Sequence, residues 1–115
     1  TILEVIVSSG SASFLAVLKE FGNEPSPGML SFPRAGVTLC LDFPNEGART
    51  LDLFRKLHGM TRSMGGRIYP AKDACMSAGN FQTFYSSWQE FAGYVDPRFS
   101  SNFWRRVTAT GEEVL

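Results

Sequence analysis

The sequence predicts an α+β fold, an antiparallel sheet with one packed helix, followed by a short helical C-terminal segment. Three observations predict it. Residues 13–21 and 36–43 alternate between two faces with the period of a strand. Residues 45–64 carry one apolar stripe with the period of a helix. Beyond residue 77 the chain breaks into short aromatic segments, two of them headed by a serine.

In order, residues 1–9 are either the tail of a helix or a short strand, stopped by Ser8, Ser9 and Gly10; so short a run leaves both open. The chain begins without Met, already inside the apolar run Ile2-Leu3-Glu4-Val5-Ile6-Val7, and is expected to be a piece of a longer polypeptide. In the first strand Leu15, Val17, Lys19 and Phe21 share one side, and Phe14, Ala16, Leu18 and Glu20 the other. A loop with two prolines follows over 22–28. In the second strand Val37, Leu39, Leu41 and Phe43 form an apolar face, and Gly36, Thr38, Cys40 and Asp42 the opposite one. A helix on the apolar face would leave Thr38, Cys40 and Asp42 on the other side, toward water or toward a site. A mid-strand cysteine leans against plain solvent.

The helix is expected to turn Leu51, Phe54, Leu57, Thr61 and Met64 inward, with Asn45 as its cap and Asp52 paired to Lys56. His58 reads as a boundary residue beside the stripe. Residues 77–85 and 87–94 read as two short helices capped by Ser77 and Ser87, and 99–107 as a short helix or turn before a polar end at Glu112 and Glu113.

Composition narrows the function. Eleven basic and eleven acidic residues balance, which argues against a nucleic-acid or anionic-membrane footprint. Two cysteines and one histidine lack metal-ligand spacing, and the cysteines suit thiols of a reducing, cytoplasmic setting, with or without peripheral membrane contact. No run is long and apolar enough to cross a bilayer. Ten phenylalanines suit a thick core or an apolar cavity wall.

One stretch concentrates chemistry. RIYPAKDACM, residues 67–76, places Tyr69, Pro70, Lys72 and Asp73 within five positions. Gly65 and Gly66 read as the preceding C-cap, and Ile68 and Tyr69 as the start of a strand that delivers Lys72 into a cleft. The competing reading makes Lys72 and Asp73 a solvated loop pair, the better choice for an isolated pair.

Taken in order, SFLAVLKEFG, LSFP, GVTLCLDFP, GGRIYPAKD, the YVDP turn and the SNFWRR tail resemble the C-terminal part of FAD-linked oxidases of the vanillyl-alcohol-oxidase type. The resemblance runs nearly end to end. It implies that residues 1–66 end a substrate-binding domain whose antiparallel sheet roofs the flavin, and that 67–115 return to the FAD-binding domain. It implies FAD as cofactor, with Tyr69, Ala71 and Lys72 at the flavin and Tyr69 and Lys72 catalytic. It matches Cys40 to the family's active-site cysteine, and places Leu15, Val17, Lys19, Phe21, Thr38, Cys40 and Asp42 at the substrate. The implied substrate is a sugar or polyprenyl-phosphoryl sugar, with a reductase partner completing an epimerisation. Three positions depart: Thr38 and Ala16 stand where the family has asparagines, and Pro70 where it has threonine.

In such an enzyme the flavin carries the redox chemistry. Lys72 would stabilise alkoxide charge or accept the hydroxyl proton, and Tyr69 would hold the sugar or the flavin edge. No glycine-rich nucleotide loop is visible, so the chain alone is expected to be inactive, to lose FAD, and to self-associate through aromatic surface around Phe81, Phe84, Trp88 and Phe91. The rival reading is a self-standing α+β module that binds a partner without catalysis.

Overall fold

The undecided N-terminal run is a helix. In the computed structural model, which describes residues 1–72 and 75–110, α1 spans Ile2–Ser9. The Glu4 N–H donates to the Thr1 hydroxyl at 3.2 Å, and Gly10 closes the helix with a φ of 69°, a left-handed turn that glycine takes without steric cost. α1 packs on the long helix, with Ile6 buried. Arg49 ties the two together by donating from Nη2 to the Ser9 carbonyl at 2.7 Å.

The two expected strands pair. β1 (Leu15–Phe21) and β2 (Gly36–Asp42) run antiparallel, with Val17 opposite Cys40 and Lys19 opposite Thr38. The face that carries these four residues looks into a cavity. The other face is open: Leu18 is 71% exposed and Val37 67%. The expected cover by the long helix is corrected for Leu39, which is 39% exposed, whereas Phe43 beyond the strand meets Phe54 of that helix with ring centres 5.7 Å apart. Phe32 and Tyr69 reach the sheet from the Phe21 side instead, in the order Phe21, Phe32, Tyr69, the first pair edge-on and the second tilted, with ring centres 6.3 and 5.1 Å apart.

α2 spans Ala48–Ser63 and starts later than the sequence implies. Its N-cap is Gly47; Asn45 sits outside, its Oδ1 accepting the Gly47 N–H at 3.0 Å in a turn. Asp52 pairs with Arg55 at 2.7 Å rather than with Lys56, and that exposed pair contributes at most about 1 kcal/mol. The buried residues are Thr50, Leu53 and His58. Thr50 is buried because its hydroxyl accepts the Glu46 N–H and donates to the Pro44 carbonyl, at 2.9 and 3.0 Å. Phe54, Leu57, Thr61 and Met64, expected in the core, line the cavity. The helix ends in a Schellman motif: Gly65 donates to the Arg62 carbonyl and Gly66 to that of Thr61, at 3.0 and 2.8 Å, with Gly65 at φ 67°.

The main core lies in the last third of the chain. Met76, Phe81, Phe84, Tyr85 and Val107 are buried together, flanked by Ile68, Trp88, Phe103 and Trp104. Three short helices supply it: α3 (Ala78–Phe84), α4 (Trp88–Ala92) and α5 (Asn102–Val107). Ser77 and Ser101 cap α3 and α5 through their side chains, whereas Ser87 stands at the α4 cap without such a bond. The expectation of uncovered aromatic surface at Phe81 and Phe84 is corrected, because α5 returns over α3. Phe103 meets Phe81 edge-on at 5.6 Å, and Trp104 meets Phe91 at 5.5 Å. Trp88 and Phe91 are partly buried. Asp73, Glu112 and Glu113 lie outside the described residues, and with Asp73 goes the Lys72–Asp73 pair.

Tyr85 gives this core a pH signature. Its hydroxyl donates to the Ile68 carbonyl at 2.7 Å, and burial pushes its pKa up to about 12, with Arg67 opposing the shift. A phenol raised in the folded state leaves stability intact below the ordinary value of 10.0. Stability is then lost as pH rises from there toward about 12, because only the unfolded chain releases the proton. Urea unfolding followed from pH 9 upward is expected to show a loss of about 1.4 kcal/mol per pH unit above pH 10. Tyr85→Phe is expected to flatten that slope.

Candidate functional site

The segment after the Schellman turn, expected as a strand tip, takes another form. Residues 66–69 pair with no strand, and Pro70–Lys72 is a single 3-10 turn opened by a proline whose fixed φ suits it. This turn brings Lys72 against the sheet. Lys72 Nζ stands 3.9 Å from Cys40 Sγ, across 32 positions of sequence.

The cavity beneath has a volume of about 890 Å³. Ile2 and the 32–35 loop line part of it, and three further places supply the rest. β1 and β2 contribute Val17, Lys19, Phe21, Thr38, Cys40 and Asp42; α2 contributes Phe54, Leu57 and Thr61; the 66–72 segment contributes Tyr69 and Lys72. Eight of the ten residues proposed from the sequence thus meet in one space. Leu15 and Ala71 do not line it: Leu15 sits at the far end of β1, 47% exposed, and Ala71 points outward on the turn. Of the two strand departures, Ala16 lies on the outer face and Thr38 on the cavity face.

Sequence reasoning missed several wall residues. Phe32 sits in a stretch too short to assign, yet it links Phe21 to Tyr69. His58, read as a boundary residue, is buried and lines the cavity. Arg67 donates from Nη1 to the Ser31 carbonyl at 2.9 Å and so holds the LSFP loop to the RIYPAK segment. The signal for these was proximity of two motifs in space, which no spacing in the sequence carries.

Chemically the space joins an apolar aromatic wall to four cations, Lys19, Arg34, Arg67 and Lys72, one carboxylate, Asp42, and the small polar groups of Thr38 and Cys40. Among the described residues neither lysine forms an ion pair. An uncompensated ammonium beside hydrogen-bonding groups can meet negative charge on a ligand oxygen. Among the described residues no grouping could hold a metal ion, and no helix is long and apolar enough to cross a membrane.

No family model matches the sequence. The chain is 36% identical over 113 residues to the decaprenylphosphoryl-beta-D-ribose oxidase of Mycolicibacterium smegmatis, covering 93% of this chain and 24% of that protein. It is 31% identical over 107 residues to an uncharacterized protein in the mprA 5' region of Streptomyces coelicolor, covering 89% of this chain and 29% of that one. The chain is thus similar to an oxidase over nearly its whole length, and spans about a quarter of the curated relatives it matches.

Proposed function

We propose that this chain is the C-terminal part of an FAD-dependent oxidoreductase that oxidises a secondary alcohol of a sugar or sugar-lipid, and that the cavity holds that alcohol. The observation that carries the reading is Lys72, set 3.9 Å from Cys40 over a sheet face lined with hydrogen-bonding groups. Similarity to a protein named as a decaprenylphosphoryl-ribose oxidase supports both the redox class and the substrate class. On this reading residues 1–66 end the substrate-binding domain and 67–115 belong to the FAD-binding domain. A reductase acting on the oxidised sugar would complete an epimerisation.

The described residues fit one part of the cofactor. Tyr69, with Phe32 behind it, offers an aromatic wall, and Lys72 a cation, for the edge of an isoalloxazine ring. A bound flavin supplies the hydride acceptor. Beside such a flavin Lys72 would stabilise negative charge on the carbinol oxygen as its proton passes to water. Thr38, Cys40 and Asp42 hold other hydroxyls of the sugar, and Val17 and Phe21 keep that side of the cavity apolar. The nucleotide half of FAD would be bound by sequence outside this chain, so the chain alone is not expected to retain it.

A second reading, a non-catalytic binding module, draws on the open sheet face with Phe14, Leu18 and Val37 at 80%, 71% and 67% exposure. The full-length protein separates the two. Purified with a visible flavin absorption band that persists through gel filtration, it supports the oxidoreductase. Colourless protein that takes up no FAD supports the binding module.

A further inference from the structure

We propose that Arg34 and Arg67 form an oxyanion site for the phosphate group of a ligand, set in the wall between two cavities. The second cavity has a volume of about 320 Å³ and is lined by Ser31, Arg34, Arg67, Tyr85 and Ser86 among others. Pro33, Arg34, Ala35 and Arg67 line both this space and the larger cavity. A group bound by the two arginines would therefore have an organic substituent within reach of either.

Each guanidinium is tethered by one hydrogen bond to a backbone carbonyl. Arg67 donates from Nη1 to the Ser31 carbonyl at 2.9 Å, and its guanidinium lies 5.5 Å from the centre of the Tyr85 ring. Arg34 donates from Nη2 to the Gly65 carbonyl. Neither is neutralised: among the described residues no carboxylate forms an ion pair with them, and Glu24, on the same cavity wall, is no exception. Arg67 Nε is buried without a hydrogen-bond partner, so one edge of its donor fork is unused. Burial, and then the charge of Arg34, weigh against the Arg67 cation.

Two adjacent cations with spare donors and no counter-ion form an unfavourable arrangement that a multivalent anion relieves. A tetrahedral phosphate matches it best, because its several acceptor oxygens can take a guanidinium fork and a second arginine together. A slight movement of Arg67 into the smaller cavity would present Nε and Nη as that fork. The hydroxyls of Ser31 and Ser86 are further donors on the same wall. This site does not depend on the redox reading; it stands on charge and geometry alone.

The test is a nitrogen–proton NMR titration of the 115-residue chain with inorganic phosphate, against chloride at matched ionic strength. Saturable shifts of the Arg67 Nε–H signal and of the backbone near Ser31, Arg34 and Ser86, absent with chloride, are expected. Arg34→Gln should weaken the affinity by about tenfold or more while the spectrum stays dispersed. Arg67→Lys, which keeps the charge and loses the fork, should weaken it as well. Glucose 1-phosphate and dimethylallyl phosphate as further probes separate the sources. Tighter binding of either ester identifies the organic group that the wall accepts, and equal binding of all three points to free phosphate. No saturable shift with any of them, or the same affinity in Arg34→Gln, overturns the proposal.

Discussion

Replacing Lys72 with alanine in the full-length protein is expected to slow anaerobic flavin reduction by about a hundredfold or more, the usual loss when one donor to a developing oxyanion is removed. Lys72 sits on an exposed 3-10 turn and packs nothing in the core, so stability should stay within about 1 kcal/mol of the parent. Loss of rate with little loss of stability is the mark of a group used in the transition state. The measurement is stopped-flow decay of the flavin band after mixing with excess sugar substrate, which isolates reduction from reoxidation. Near-normal decay would remove Lys72 from the mechanism and leave Tyr69 as the next residue to test.

The second large effect concerns the fold. Phe81 is 1% exposed and meets Tyr85, Phe103 and Trp104 with ring centres 5.1, 5.6 and 6.2 Å away. Phe81→Ala is expected to cost about 3–5 kcal/mol through lost transfer energy and the cavity left behind. That is a large share of the total for a domain of this size, and the variant should be mostly unfolded by circular dichroism at room temperature. Full retention of cooperative unfolding would mean that the core lies elsewhere. A two-stranded sheet alone is marginal, so the sheet half is expected to loosen with it.

These two residues also mark what the sequence could and could not disclose. The strands were legible because strict alternation over 13–21 and 36–43 leaves one register that keeps Lys19, Thr38 and Cys40 together. The Gly65-Gly66 terminus was legible because a left-handed C′ position calls for glycine. The facing of α2 was not. Its apolar groups spread over a wide arc, and it packs against both α1, whose own run was too short to identify, and α3. The aromatic segments over 77–94 were read as helices and 99–107 as a helix or turn, but their burial depended on α5 folding back, a tertiary event without a local signal. Tyr69, Lys72 and the face of Thr38, Cys40 and Asp42 stood out from the residues themselves, the resemblance gave them roles, and the register explains why the strand residues among the eight meet. Phe32, Arg34 and Arg67 were missed because their roles arise only from the approach of two distant loops.

The function proposed for the cavity rests on one event, transfer of the carbinol hydrogen to a flavin. Its most direct test is anaerobic, single-turnover flavin reduction in the full-length protein, comparing a sugar substrate with the same sugar deuterated at the reacting carbon. The account predicts that the flavin band disappears with both, and distinctly more slowly with the deuterated sugar. A flavin band untouched by any sugar or sugar phosphate, or reduction equally fast with both isotopes under conditions where mixing and binding are not limiting, would contradict it.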